Sequence, residues 1–136
     1  MKEITVKAMV ENIPQVTEFI DMELEALDCP LRAQTQIDVA IDELFGNIAF
    51  YAYSGEVGDA VVRFEYDEAT HMASITFIDA GAPFDPLAKP DPNVTLSAEE
   101  RQIGGLGIFL VKKTMDDVVY RRENDRNVLT IVKKIG

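Results

Sequence analysis

The sequence has a single cysteine and a single histidine, and it has no long apolar run. Cys29 has no second cysteine to pair with, so an intramolecular disulfide and a cysteine-based metal cluster are both excluded. His71 falls in a predicted turn, which disfavours a phosphoacceptor role. No apolar stretch is long enough for a signal sequence or a membrane span. We therefore expect a cytoplasmic protein in a reducing compartment.

Basic residues are also scarce. Thirteen Lys and Arg stand against twenty-four Asp and Glu, which gives a formal net charge of −11. A field of this sign repels phosphate backbones and anionic lipid, so we expect neither nucleic acid nor a membrane surface as a partner. The same field opposes a small polyanion. A phosphate-bearing ligand would need backbone amides or a divalent cation to offset the repulsion.

The chain is long enough for one domain, and we expect residues 1–136 to form it. Glu23 falls inside the apolar stripe of the first predicted helix, which the periodicity does not explain.

The element order predicts a two-layer α/β sandwich of the α+β class, with helices on one face of a mixed, mostly antiparallel sheet. The predicted elements are a strand within 1–10, helices over about 14–26, 31–52 and 107–115, strands over about 60–66, 72–79, 118–122 and 128–133, and a long loop over 80–103.

Glu43 and Asn47 lie four residues apart in "DELFGN", so they are neighbours on one side of the central helix. Both fall beside its apolar stripe, where a ligand could lie against the helix. The amide oxygen of Asn47 suits a magnesium shell completed by phosphate oxygens and water, and the Glu43 carboxylate can accept a proton. An acidic residue and an amide at this spacing are also common on solvated helix faces, so this motif alone leaves both interpretations open.

Asp79 and Gly81 stand at the end of a predicted strand, in "ITFIDAGAPFDP". Period-two alternation places Asp79 on the same face as Ile75 and Phe77, toward the helices. Gly81 permits a close backbone approach or a positive φ, so the pair could accept the amino group of a purine. The alternative is a strand that simply ends in a turn-forming Asp-x-Gly.

Three glycines, Gly104, Gly105 and Gly107, end the long loop and begin the next helix. Free amides and the positive helix end converge there, as anion sites require, so the pattern favours phosphate oxygens as ligands. A flexible loop closure is the alternative. Two nucleotide fingerprints are excluded, because residue 110 is Leu where a G-x-G-x-x-G needs glycine, and no G-K-[ST] occurs.

The three motifs, in this order, resemble those of the GHKL ATPase superfamily and, within it, the bacterial anti-sigma-factor serine kinases. "ELFGNIAFYAY" is similar to the N box of that family, "DAGAPFDP" to its first glycine box and "GGLGIFLVKK" to its second. The likeness covers nearly the whole chain. It implies the Bergerat type of sandwich, a histidine kinase-like ATPase domain whose ATP lid is the loop over 80–103.

The resemblance also implies ATP and Mg²⁺ as ligands. In the family pattern Asn47 carries magnesium, Asp79 with Gly81 recognises adenine, and Glu43 is the general base. The residues that the resemblance places at the phosphates are Gly104, Gly105 and Gly107.

The activity implied is transfer of the γ-phosphoryl group of ATP to a serine of a STAS-type anti-sigma antagonist, by a homodimer that also sequesters a sigma factor. Two features depart from the family. Tyr51 stands where many relatives carry His or another polar residue, and the lid offers only Lys89 and Arg101 as cations. Two alternatives therefore stay open: a nucleotide-gated binding module without kinase activity, and a plain protein-interaction domain.

Overall fold

A computed structural model describes residues 1–54, 56–88 and 105–136 of the chain. The predicted lid thus lies outside the described residues from residue 89 onward, and so does Gly104. The elements are β1 (Lys2–Lys7), a 3₁₀ turn (Val10–Asn12), α1 (Ile13–Ala26), α2 (Leu31–Asn47), a π-helical turn (Ile48–Ala52), β2 (Asp59–Asp67), β3 (Met72–Asp79), a second 3₁₀ turn (Pro86–Ala88), α3 (Gly105–Thr114), β4 (Asp117–Glu123) and β5 (Arg126–Lys134).

The strands form one five-stranded sheet in the order β1-β2-β3-β5-β4. Every neighbouring pair is antiparallel, so the described sheet contains no parallel pairing. The α+β sandwich predicted from the sequence is confirmed. β4 and β5, which follow the long loop, form a hairpin in which β5 pairs with β3 and β4 is the edge strand. This pairing places the start of β5 beside the end of β3.

The helices cover one face of this sheet, and the core lies between the two layers. On β3, Ile75 and Phe77 are buried toward the helices, whereas Thr76 points to the other face and shares a 2.9 Å hydrogen bond with the hydroxyl of Thr130. α2 lies at the centre of the helical layer, where it contacts both α1 and α3. Five of its apolar residues recur at helical spacing and are buried in the core: Ala33, Ile37, Ala40, Ile41 and Leu44. No helix in the described ranges is long and apolar enough to cross a bilayer.

Glu23, which interrupts the apolar stripe of α1, has a partner on the first strand. Its carboxylate lies 3.1 Å from the ammonium group of Lys2, and the side chain of Glu23 is only 21% exposed. The ion pair joins α1 to the edge of the sheet. Because the Lys2 side chain is 67% exposed, the pair contributes less than about 1 kcal/mol to stability. The acidic residue is therefore tolerated in the stripe because it lies at the rim of the core.

Candidate functional site

The central helix changes its winding directly after Asn47. α2 ends at this residue, and Ile48–Ala52 continue as a single π-helical turn, where the hydrophobic period alone predicts one uninterrupted helix to residue 52. A π-helical turn takes up an extra residue and often marks a functional site. Asn47 is half-buried at this transition.

Two aromatic side chains project from the π-helical turn. Phe50 is 70% exposed and Tyr51 is 54% exposed. The Tyr51 ring stacks on that of Phe84, with centroids 5.3 Å apart and planes inclined by 26°. Tyr51 is thereby held against the chain that follows β3.

β3 delivers Asp79 to the inner face of the sheet at its last position, as the alternation predicts. The residue is 5% exposed. Its Oδ1 accepts hydrogen bonds from the Gly81 N–H and from Nδ2 of Asn127, each at 2.9 Å. Neither of these bonds uses Oδ2. The two donors therefore restrain the orientation of the carboxylate, and this orientation also sets the position of Oδ2.

Asn127 is a residue of the site that the sequence reasoning missed. It lies opposite Asp79 in the β3–β5 register and is also 5% exposed. Besides its bond to Asp79, Nδ2 donates to the carbonyl oxygen of Ala82 at 2.8 Å. Its Oδ1 accepts from the N–H of Phe84 at 3.2 Å and from the hydroxyl of Tyr120 at 2.5 Å. Asn127 thus joins β3, β4 and the turn that follows β3.

The sequence did contain a signal for Asn127. The residue is in phase with Leu129 and Ile131, both of which are buried on the inner face of β5. A strand predicted to start at residue 128 left Asn127 in the preceding turn. The strand in fact begins at Arg126, and an amide on the buried side of a strand requires polar partners.

Gly81 is needed for packing within the chain itself. A Cβ at this position would lie 2.1 Å from the carbonyl oxygen of Ala52. That same oxygen accepts a 2.8 Å hydrogen bond from the N–H of Ala82, and Arg122 donates to the carbonyl oxygen of Gly81 at 2.8 Å. The close backbone approach predicted at Gly81 is therefore made by the end of the π-helical turn.

One small cavity connects these elements. Its volume is about 30 Å³, and it is mostly apolar, with polar side chains contributed by four elements, α2, β3, β4 and β5. Asn47 and Asp79, which are far apart in the sequence, both line it, whereas Gly81 does not. The lining residues are Leu44, Asn47, Ile48, Ala52, Phe77, Asp79, Phe84, Pro86, Tyr120, Asn127 and Leu129.

Glu43 and Gly107 meet next to this cavity. Glu43 lies one turn before Asn47 on α2, and a Cβ added to Gly107 would lie 2.1 Å from its carboxylate carbon. The first turn of α3 can therefore rest directly on the carboxylate only because residue 107 has no side chain. Burial raises the pKa of Glu43, and the negative charge of Asp42 raises it further.

The other glycines of the third motif are described only in part. Gly105 is the first residue of α3. Gly104 lies outside the described residues, so its predicted contact with phosphate stays a prediction. The described geometry therefore brings together Asn47 with Asp79, and Glu43 with Gly107, and α2 carries one member of each pair.

The donor set around α2 fits a magnesium ion only if a ligand supplies most of its shell. Among residues 1–54, 56–88 and 105–136, no three His, Cys, Asp or Glu side chains are grouped so that they could hold a metal ion. Asn47 lines the cavity, and its side chain has one amide oxygen that could serve as a ligand. Mg²⁺ commonly takes one or two protein oxygens and completes its octahedron with phosphate oxygens and water, so this set suits a phosphate-bound ion.

Comparison with known proteins points in the same direction as the geometry. A family model for the histidine kinase-like ATPase domain matches residues 6–133. The serine/threonine-protein kinase BtrW of Bordetella bronchiseptica is 26% identical over 100 residues, which span 74% of this chain and 70% of that protein. The serine-protein kinase RsbW of Listeria innocua is 31% identical over 99 residues, or 69% of this chain and 62% of that protein. The match thus spans less than two-thirds of the Listeria protein.

One solved structure also superposes on the chain. The histidine kinase AdeS of Acinetobacter baumannii covers 100% of this chain with 70% of its own, at a TM-score of 0.46 and 9% identity.

Proposed function

This chain belongs to the histidine kinase-like ATPase domain family, and we propose that it is an ATP-binding anti-sigma factor and protein-serine kinase. It transfers the γ-phosphoryl group of ATP to a serine of a STAS-type antagonist. As the motif resemblance implies, it also sequesters a sigma factor and acts as a cytoplasmic homodimer. The printed names of two relatives, a serine-protein kinase and a serine/threonine-protein kinase, support the reaction class.

A single juxtaposition supports the proposal most strongly. Asn47 from the end of α2 and Asp79 from the end of β3 line the same cavity, and Glu43, one turn before Asn47, lies against the start of α3. The residues that we propose as metal ligand and base-recognition group thus share one cavity, and the proposed general base lies one helical turn from the first of them. Such a convergence of polar groups on an apolar cavity is typical of a ligand site.

In this function Asp79 receives the amino group of adenine. Oδ1 already accepts two hydrogen bonds, so Oδ2 is the oxygen that the two bonds leave for the base. Apolar side chains of α2, β3 and β5 would contact the ring faces. The cavity of about 30 Å³ is smaller than a purine, so entry requires its walls to separate, and we expect Phe84 and Pro86, which lie outside the sheet and α2, to move.

The chemistry assigned to α2 is proton transfer beside a bound cation. Asn47 would hold magnesium, which supplies charge neutralisation on the phosphates. Glu43 would take the proton from the serine hydroxyl. At the same time the serine oxygen would form a bond to the γ-phosphorus, and the bond between that phosphorus and the β,γ-bridging oxygen would break. Because burial raises the pKa of Glu43, its carboxylate is a stronger base than that of an exposed glutamate.

The substitution Glu43→Gln tests the kinase reaction. We expect phosphotransfer from γ-labelled ATP to the cognate STAS-type protein to fall by roughly 10²–10⁴-fold, the usual contribution of a general base. Mg-ATP affinity, measured by calorimetry, should stay within about threefold, because Glu43 is assigned no bond to the ground-state nucleotide. Glu68→Gln, in the exposed β2–β3 turn, is the matched control. Equal transfer by Glu43→Gln and the control would rule out Glu43 as the base.

One observation favours a second candidate, a nucleotide-gated binding module without chemistry. None of the described residues lining the cavity is Lys or Arg, and charge on the transferring group must therefore be offset mainly by magnesium and by backbone amides. Tight Mg-ATP binding that changes affinity for the partner, with no label transfer to it, would identify this module. Titrations without any Mg-ATP heat would identify a plain interaction domain.

A further inference from the structure

We propose that Asn127 is a positioning residue for base selectivity: it holds Asp79 so that the carboxylate offers the nucleotide one fixed acceptor. This inference rests on the proposed function, because it concerns the same site. It adds to the site a residue of β5 that belongs to none of the three sequence motifs.

The amide of Asn127 is fully used in one orientation. Nδ2 has two hydrogens, and they go to Oδ1 of Asp79 and to the carbonyl oxygen of Ala82. Oδ1 accepts from the N–H of Phe84 and from the hydroxyl of Tyr120. A rotated amide would set its NH₂ group against the N–H of Phe84 and its oxygen against two acceptors, Asp79 Oδ1 and the carbonyl oxygen of Ala82. The orientation is therefore fixed by its partners.

The same amide also fixes the chain around Asp79. It bonds twice to the turn after β3, at Ala82 and Phe84, and Arg122 from β4 holds the carbonyl oxygen of Gly81 in that turn. Phe84 is itself a wall of the cavity. Asn127 thus sets the direction of the carboxylate and the position of the wall facing it.

A fixed acceptor selects for a donor on the base. The exocyclic amino group of adenine can donate to Oδ2 of Asp79, whereas a purine without that group leaves the buried oxygen without a partner. An unpaired buried acceptor is costly. If Asn127 is replaced by an apolar residue, Asp79 loses one of its two donors, and its carboxylate is free to turn toward other partners. We then expect the preference for the amino group to weaken.

The experiment compares Mg-ATP with the Mg complex of purine riboside triphosphate, which lacks only the amino group. Calorimetric titration should show wild-type protein binding ATP roughly tenfold more tightly. In Asn127→Leu we expect this ratio to fall to about three or less, whatever the change in overall affinity. A purely structural role would weaken both nucleotides equally and leave the ratio unchanged. Thr130→Val, on the other face of β5, is the matched control and should keep the wild-type ratio.

A milder substitution covers the case in which Asn127→Leu does not fold. Tyr120→Phe removes only the hydroxyl that donates to Asn127, and it should lower the ratio by roughly twofold. A folded Asn127→Leu or, failing that, a folded Tyr120→Phe that keeps the full wild-type ratio overturns this inference alone. Wild-type protein that shows no preference between the two nucleotides overturns both this inference and the proposed adenine contact.

Discussion

Two carboxylate sites along α2 have opposite surroundings. Beside the end of the helix, Oδ1 of Asp79 accepts hydrogen bonds from two donors, Asn127 and the backbone N–H of Gly81. Near the middle of the helix, Asp38 interacts with Asp21 of α1. Within the described part of the chain, Oδ1 of Asp38 and Oδ1 of Asp21 are both buried and lack a hydrogen-bond partner.

The difference shows what makes a buried carboxylate useful. Burial raises the pKa of Asp38 to about 7, with further contributions from the hydrogen bond that a protonated Asp38 can donate to the Asp21 carboxylate and from the charges of Asp21 and Glu25. Asp38 is therefore partly protonated near neutral pH. A carboxylate flanked by donors can present a fixed acceptor to a ligand, whereas one flanked by another carboxylate retains a proton instead.

The largest effect is expected from disrupting the Asp79 turn. In Gly81→Ala the new methyl group would lie 2.1 Å from the backbone oxygen of Ala52, and backbone cannot move aside as a side chain can. We expect a loss of about 3 kcal/mol in the free energy of unfolding, measured by urea denaturation. Gly46→Ala is the control, because nothing lies within 4 Å of its added Cβ. This α2 substitution should instead stabilise by about 0.5–1 kcal/mol, and equal effects of the two variants would contradict the packing assigned to Gly81.

A smaller effect of opposite sign is expected at the other carboxylate site. Because the pKa of Asp38 is raised from 3.8 to about 7 on folding, the folded state binds more protons between these values, and stability falls as pH rises through them. Asp38→Asn removes this penalty. Allowing for solvent screening at a partly exposed group, we expect stabilisation of about 1–2 kcal/mol at pH 8 and little change at pH 4.

Urea denaturation of Asp38→Asn at both pH values checks this prediction. Asp28→Asn, at an exposed position in the α1–α2 turn, is the charge-matched control and should show no such pH dependence. A variant that gains as much at pH 4 as at pH 8 would show that removal of the charge is not the cause.

The smallest effect concerns Cys29, whose thiol pKa depends on burial and on the charges of Asp38 and Asp21. Burial raises the pKa of its thiol, and the charges of Asp38 and Asp21 raise it further. Neutralising Asp38 should lower that pKa and increase the thiolate fraction, since the thiolate is the reactive form. We expect Asp38→Asn to speed alkylation of Cys29 by iodoacetamide at pH 8 by about twofold. Glu65→Gln on β2 is the control and should leave the alkylation rate unchanged. An unchanged rate in Asp38→Asn would show that the charge of Asp38 does not raise the pKa of the Cys29 thiol.

The sequence predicts the framework of the site better than its details. Alternation places Asp79 on the inner face of β3, and helical spacing places Glu43 and Asn47 on one side of α2, because both depend only on local period. The π-helical turn after Asn47 is not predictable from this period, and its end, Ala52, packs against Gly81 from a distant part of the sequence.

Residues that depend on distant partners were the hardest to assign. The role of Asn127 depends on the register that sets it opposite Asp79, and the predicted strand excluded it because its start was placed two residues too late. Glu23 pairs with Lys2 across two elements, and Asp38 meets Asp21 across the α1–α2 interface. Hydrophobic periodicity contains no information about such pairs, because they are set by how the layers come together.

Titration of Mg-ATP into wild-type protein and Asp79→Asn tests most directly whether the cavity at the end of α2 recognises adenine. The substitution keeps the shape of the side chain but allows an amide donor to replace the acceptor Oδ2. We predict binding by the wild type, an affinity lower by roughly tenfold or more in Asp79→Asn, and wild-type affinity in the surface control Asp28→Asn. Equal affinity of Asp79→Asn and wild type, or no binding by the wild type, would contradict the account.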